Sequence, residues 1–128
     1  MRPTDEPAPI PIANGSWVLV TSSFIGAGRI PGVPRATLAI KDGQLTAFGG
    51  CNSASAAGHT LEGRLELAAL VTTRRACPEP LNSFETRYFK LLQAQPSLHI
   101  EGDTLILSGP EHNARFRRAA DRPAQPAP

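Results

Sequence analysis

A chain of 128 residues suits one domain and can bury roughly two thirds of its unfolded surface, so a core is feasible without a metal. The hydrophobic share of 41% excludes global disorder, and no run approaches the roughly 18–20 apolar residues of a membrane-spanning helix. A net charge of +2, with scattered arginines and few aromatics, excludes the continuous basic, base-stacking surface that nucleic-acid binding needs.

The chain ends differ from the middle. "MRPTDEPAPIPIA" and "DRPAQPAP" are rich in Pro and Ala, which predicts disordered tails over 1–15 and 120–128 around a folded domain over 16–119. No apolar targeting segment follows Met1.

The first element in the domain is a strand, "SWVLVTSSF" (16–24). It places Trp17 and Leu19, then Thr21, on one face and Val18 and Val20 on the other. "IGAGRIPGVP" (25–34) reads as a Gly/Pro loop. Next comes a hairpin, "ATLAIKDGQLTAFGG" (36–50). Asp42-Gly43 is its type I′ turn, and Leu38, Ile40, Leu45 and Ala47 form its apolar face. A second hairpin, "AAGHTLEGRLELAAL" (56–70), turns at Glu62-Gly63 and carries Leu61, Leu65 and Leu67. "VTTRRAC" (71–77) is extended and ends before Pro78, since a residue preceding proline avoids the helical region.

One helix is predicted, "NSFETRYFKLLQAQ" (82–95). Asn82 would cap it, with Glu85 three residues on in capping-box spacing. Phe84, Tyr88, Leu91 and Leu92 form one apolar stripe that Phe89 widens, and Pro96 stops the helix. A closing meander follows: "SLHIEG" (97–102), "DTLILSG" (103–109) and "NARFRRA" (113–119). In the last, Arg115 and Arg117 share a face that reads as a solvated edge strand. The order strands, helix, strands predicts a mostly β fold. Its antiparallel, barrel-like curved sheet has about eight strands, with one helix packed against it.

Several groups are candidates for chemistry. Cys51 as a nucleophile needs a base, and His59, His99 and His112 are the candidates; none lies in a recognisable motif. Cys51, Cys77 and a histidine lack the close cysteine pair usual for structural zinc. No acidic pair is forced to converge, and "GAGRIPG" lacks the context of a phosphate loop. Cys51 and Cys77 can instead form a bridge or close pair, or stand as two separate buried thiols. A bridge would close a loop of about 26 residues and stabilise by roughly 3–4 kcal/mol. Asn52 is read as bracing a tight turn through backbone hydrogen bonds.

Taken in order, Trp17 with Leu19, then Gly50-Cys51-Asn52, then Thr73-Arg74-Arg75-Ala76-Cys77-Pro78, then Glu85 in a helix with Leu91 and Leu92, then Gly102-Asp103-Thr104-Leu105-Ile106-Leu107, resemble the META domain family (HslJ-like heat-shock-inducible envelope lipoproteins). The resemblance spans about Ser16 to Arg118. It implies a lipocalin-like, barrel-like domain of the bacterial envelope, periplasmic or outer-membrane-associated, linked with stress or antibiotic tolerance. It implies no established reaction, cofactor or metal. It carries over Trp17, Gly50, Cys51, Asn52, Thr73, Cys77 and Glu85 as structural positions. The family's aromatic after the Gly-Cys-Asn motif is missing from Ser53 to Thr60.

The expectation is therefore a monomeric, non-enzymatic module that binds an unidentified protein or small molecule. Membrane association would come only through a lipid anchor not visible in the sequence. The alternatives are a carrier of a small apolar ligand, or a thiol hydrolase using Cys51 and His59.

Overall fold

The computed structural model describes residues 9–23 and 35–119. Nine strands and one helix follow in chain order: β1 (Gly15–Ser22), β2 (Thr37–Lys41), β3 (Gln44–Phe48), β4 (Ser53–Leu61), β5 (Arg64–Leu67), β6 (Val71–Thr72), α1 (Leu81–Gln93), β7 (Ser97–Glu101), β8 (Thr104–Ser108) and β9 (Asn113–Arg118). Eight strands close an antiparallel ring in the order β3-β2-β1-β9-β8-β7-β5-β4, with β4 pairing back to β3. β6 lies outside the ring on β4. The loop expected at 25–34 falls outside the described residues.

The hairpins form where the sequence places them. Asp42 and Gly43 take φ of 50° and 82°, and Glu62 and Gly63 take 54° and 79°. Two successive positive-φ residues make the type I′ geometry that follows the natural twist of paired strands. Leu38, Ile40, Leu45 and Ala47 all point into the barrel and are buried.

The registers depart from expectation at three places. In β1, Leu19 pairs Phe116 but Thr21 pairs Arg115, so Val20 is the extra residue of a bulge. The alternation flips there: Thr21, expected beside Trp17 and Leu19, is exposed, and Ser22 is buried. Next, the strand expected from Ala56 begins at Ser53, because Ala54 and Ala56 face inward opposite Ala47 and Leu45. Alanines give little apolar signal. Finally, β9 is no edge strand. Barrel closure pairs it with β1 and β8 on its two sides, leaving Arg115 and Arg117 exposed on the outer face.

Packing also begins before Ser16. Ile10 forms a bridge with Thr60, with N–H···O distances of 2.8 Å in both directions, and Ile12 is 6% exposed in the core. Two isolated isoleucines among prolines carry no period that a sequence reading could detect.

The helix buries Phe84, Tyr88, Leu91 and Leu92 as its spacing requires. The Tyr88 and Phe116 rings lie 6.2 Å apart, and the Tyr88 hydroxyl donates to the Thr37 carbonyl at 2.7 Å. Burial pushes the Tyr88 phenol far above its ordinary value, so it remains a donor.

The expected capping box is not formed. The helix starts at Leu81, inside which Asn82 already lies, and no side chain at its N-cap residue bonds the first turn. Glu79 takes that role. Its carboxylate accepts the Ser83 N–H at 3.1 Å and the Asn82 amide at 3.3 Å. Glu85, the other half of the expected box, turns inward instead.

The interior is filled. Trp17, Leu19, Leu38, Leu45, Leu105, Leu107 and Phe116 are 1% exposed or less, so none of them meets a space that water could enter. A carrier pocket inside the barrel would have left some of these side chains accessible.

Two outcomes are expected. Phe84→Ala should lower unfolding free energy by about 3–4 kcal/mol, whereas Tyr88→Phe should cost about 1 kcal/mol, both read from urea denaturation. Glu79 is held below its ordinary value of 4.5, chiefly by the Ser83 hydroxyl, then the Ser83 N–H and Asn82. Its contribution to helix capping should therefore be full above that value and fade as pH falls through its lowered pKa. Thermal melts of Glu79→Gln and the parent chain should differ at neutral pH and converge in acid.

Candidate functional site

β3 and β4 are joined by Gly49-Gly50-Cys51-Asn52, closed by the Gly49 N–H donating to the Asn52 carbonyl at 2.9 Å. Gly50 has φ of 112°, a conformation that side chains rarely adopt. The turn aims two consecutive backbone N–H groups at one point, and a buried carboxylate occupies it. Glu85, 3% exposed, accepts from Cys51 N–H at 2.7 Å and Asn52 N–H at 2.6 Å, both on Oε2. Such paired N–H groups form an anion-holding concavity, here filled by the protein's own side chain. Gly49 is required by the closeness of that side chain: a Cβ there would lie 2.6 Å from Glu85 Cγ.

Asn52 extends the network. Its Nδ2 donates to Glu85 Oε1 at 3.0 Å and to the Arg75 carbonyl at 3.2 Å. Its Oδ1 accepts the Thr73 hydroxyl at 2.8 Å and the Arg75 N–H at 2.7 Å. Both donors and both lone pairs of the amide are used, which fixes its orientation. Thr73 Oγ1 in turn accepts the Ser53 N–H at 3.1 Å. Cys51 and Cys77 are joined in a disulfide with Cα atoms 6.4 Å apart, and Asn52 Nδ2 lies 3.2 Å from Cys77 Sγ.

Gly50, Cys51, Asn52, Thr73, Cys77 and Glu85 thus meet in one place, from two strand connections and a helix. Trp17 does not join them; it sits in β1 beneath the Arg118 guanidinium, 4.3 Å from ring centroid to Cζ. Arg75 takes part only through its backbone, so no side-chain signal could have marked it.

The thiol-hydrolase alternative does not survive this geometry. Cys51 carries no thiol, and His59 instead faces Glu66 on the neighbouring strand, Nε2 to Oε1 3.4 Å. His99 is exposed beside Glu101, and His112 Nδ1 lies 3.4 Å from Ser23 Oγ. Ligand atoms of Cys51, Cys77 and Glu85 lie within 4.8 Å of one another. The sulfurs are bonded to each other and the Glu85 oxygens are engaged by N–H donors, so this set offers a cation no open ligand.

Beside the network runs an open groove lined by Thr72, Thr73, Arg74, Arg75, Thr86 and Phe89, with Asn52 and Glu85 at its base. Arg74 and Arg75 are exposed and have no acidic partner among the described residues.

The META domain family model matches residues 10–122. No curated protein matches. Two solved structures share the fold. An NMR structure of a protein from Burkholderia xenovorans has a TM-score of 0.67 at 23% identity, covering 89% of this chain and 93% of that one. A second NMR structure has a TM-score of 0.70 at 16% identity, covering 91% and 94% respectively.

Replacing Glu85 by Gln presents an amide N–H₂ or a single carbonyl to three donors. Chemical denaturation should show a loss of about 2–3 kcal/mol. Cys51→Ser with Cys77→Ser should cost roughly 3–4 kcal/mol. Because the two sites share Asn52, the combined variant should deviate from additivity, which a double-mutant cycle measures.

Proposed function

Because this chain belongs to the META domain family, we propose that it is a non-catalytic, monomeric binding module of the bacterial cell envelope, periplasmic or outer-membrane-associated. The disulfide supports an oxidising compartment. The polar cluster around Glu85 supports a structural rather than catalytic role, because every donor and acceptor of Asn52 and both Glu85 oxygens are consumed by the fold. A part in stress or antibiotic tolerance rests on the family alone and names no residue here.

One observation carries the binding role. Asn52 grips both the N–H and the carbonyl of Arg75, and the disulfide fixes Cys77 two residues later. The network therefore holds rigid a segment whose two guanidiniums stand exposed in the groove. Holding long basic side chains on a fixed backbone lowers the entropy cost of engaging an anion. Guanidiniums select carboxylates by paired hydrogen bonds. The proposed partner is an acidic peptide segment.

An NMR titration with an Asp/Glu-rich peptide at low ionic strength tests this. Shifts should concentrate at Thr72 to Ala76 and Thr86, weaken with added salt, and vanish in Arg74→Glu/Arg75→Glu while that variant keeps its melting temperature. No perturbation of the parent chain at low salt would sink the proposal.

A further inference from the structure

Given the acidic-peptide reading above, on which this rests, we propose that the partner docks as an added β-strand along the free edge of β6. Its acidic residues lie opposite Arg74 and Arg75, and an apolar one lies opposite Val71. Barrel closure gives each ring strand a neighbour on both sides, but β6 pairs with β4 alone. Val71 stands opposite Ser55 and Thr72 opposite Ala54. The Thr73 N–H donates to the Ser53 carbonyl at 3.0 Å. Two residues on, Arg75 gives its N–H to Asn52 Oδ1 at 2.7 Å, and its carbonyl accepts from Asn52 Nδ2 at 3.2 Å. The Asn52 amide thus stands where a peptide group would, and continues the ladder past Ser53. Backbone bonds of an antiparallel strand alternate sides from residue to residue. With Thr73 and Arg75 turned toward β4 and Asn52, the N–H and C=O of Thr72 and Arg74 turn outward. On that side they have no backbone partner among the described residues.

Such an edge is a template for another strand. In strand addition the main chain supplies affinity and the side chains supply choice. This edge is open: Val71 is 68% exposed, and Arg74, Arg75 and Ala76 are exposed. Residues 72–76 also line the open groove together with Thr86 and Phe89. The Asn52 amide and the disulfide already hold the segment in place, so docking orders little of this chain and breaks none of its hydrogen bonds.

Charge selects the occupant. Ala68 to Ala76 holds two arginines and no acid. A second copy of this edge would bring like charges together, a common guard against self-pairing, whereas an acidic strand brings opposite ones. In an antiparallel partner the residues opposite Arg75, Arg74, Thr73, Thr72 and Val71 follow one another from N- to C-terminus. The matching pattern is acidic, acidic, polar, polar, apolar. The partner N–H groups aimed at β6 belong to the second and fourth of these residues.

The test titrates the ¹⁵N-labelled full-length chain at low ionic strength with a capped peptide carrying Asp-Glu-Ser-Thr-Val. The Thr72 and Arg74 amide protons should move downfield and gain protection from solvent exchange. Those of Thr73 and Arg75, already bonded, should change less. N-methylation of the peptide at Glu or Thr should weaken binding at least about fivefold, the loss of one hydrogen bond, whereas at Ser or Val it should leave affinity within about twofold. Altering the peptide leaves the protein's own fold untouched. If the four methylated peptides bind alike, or only a generic Asp/Glu-rich peptide binds, strand addition is overturned while the acidic-peptide reading stands. If neither peptide perturbs the spectrum, both fall. Protection of Thr72 and Arg74 that rises with protein concentration in the absence of peptide makes a second copy the occupant, and overturns the proposal too.

Discussion

A carboxylate from the helix, taken up by two backbone N–H groups of the β3–β4 turn, is the contact on which the rest of the architecture turns. Glu85 sits on the same helical face as Phe84 and Tyr88, so burying the apolar stripe drives a charged group into the interior. Burying an unpaired carboxylate is too costly to be tolerated. The cost is met by donors that the turn holds in place: Gly50 sets the turn, Gly49 clears the approach, and Asn52 supplies the third hydrogen bond. The helix can dock in one register only, because a shift by one residue would orphan both the carboxylate and the turn.

The docking matters because the barrel is weakest nearby. β5 and β7 share one register pair, Arg64 with Ser97, reinforced by Leu65 N–H to the Pro96 carbonyl and Leu98 N–H to the Gly63 carbonyl. The chain between those strands contains β6, Cys77 and α1. The helix packs on β5, and Leu91 reaches Gly109 at the end of β8. Tying Cys77 to Cys51 anchors that long excursion to the turn that receives Glu85. The disulfide and the carboxylate act on the same junction, one through covalent restriction of the unfolded chain and one through hydrogen bonds in the folded chain.

This division explains what was legible in the sequence. The Asp42-Gly43 and Glu62-Gly63 turns and the Phe84/Tyr88/Leu91/Leu92 stripe are local signals, set by φ preferences and by a period of 3.6. The barrel followed from strand order, and the resemblance marked Cys51, Asn52, Thr73, Cys77 and Glu85 as structural positions without bringing them together. The errors came where a distant partner outweighed a local preference. Asn82 and Glu85 have capping-box spacing, but Glu85 finds better donors 34 residues away at Cys51. Thr21 alternates correctly until the bulge required by pairing with β9 shifts it. The run of small residues after Asn52, lacking the family's aromatic, proves to be a strand. Ala54 and Ala56 point inward, and Gly58 is held free of a side chain by Leu67, whose Cδ2 would lie 2.6 Å from a Cβ.

The two polar regions of the barrel stand in opposite chemical states, and that contrast shows what each contributes to the fold. Around Glu85 each donor meets an acceptor, so an incoming group would have to displace a bond at least as good as the one it makes. Beside Gly15 the Trp17 indole N–H is buried under the Arg118 guanidinium with no hydrogen-bond partner among the described residues, and the fold carries that deficit within a stability of only several kcal/mol. A saturated network supplies rigidity and nothing further. The unpaired indole N–H is a cost that burial of the large aromatic ring offsets.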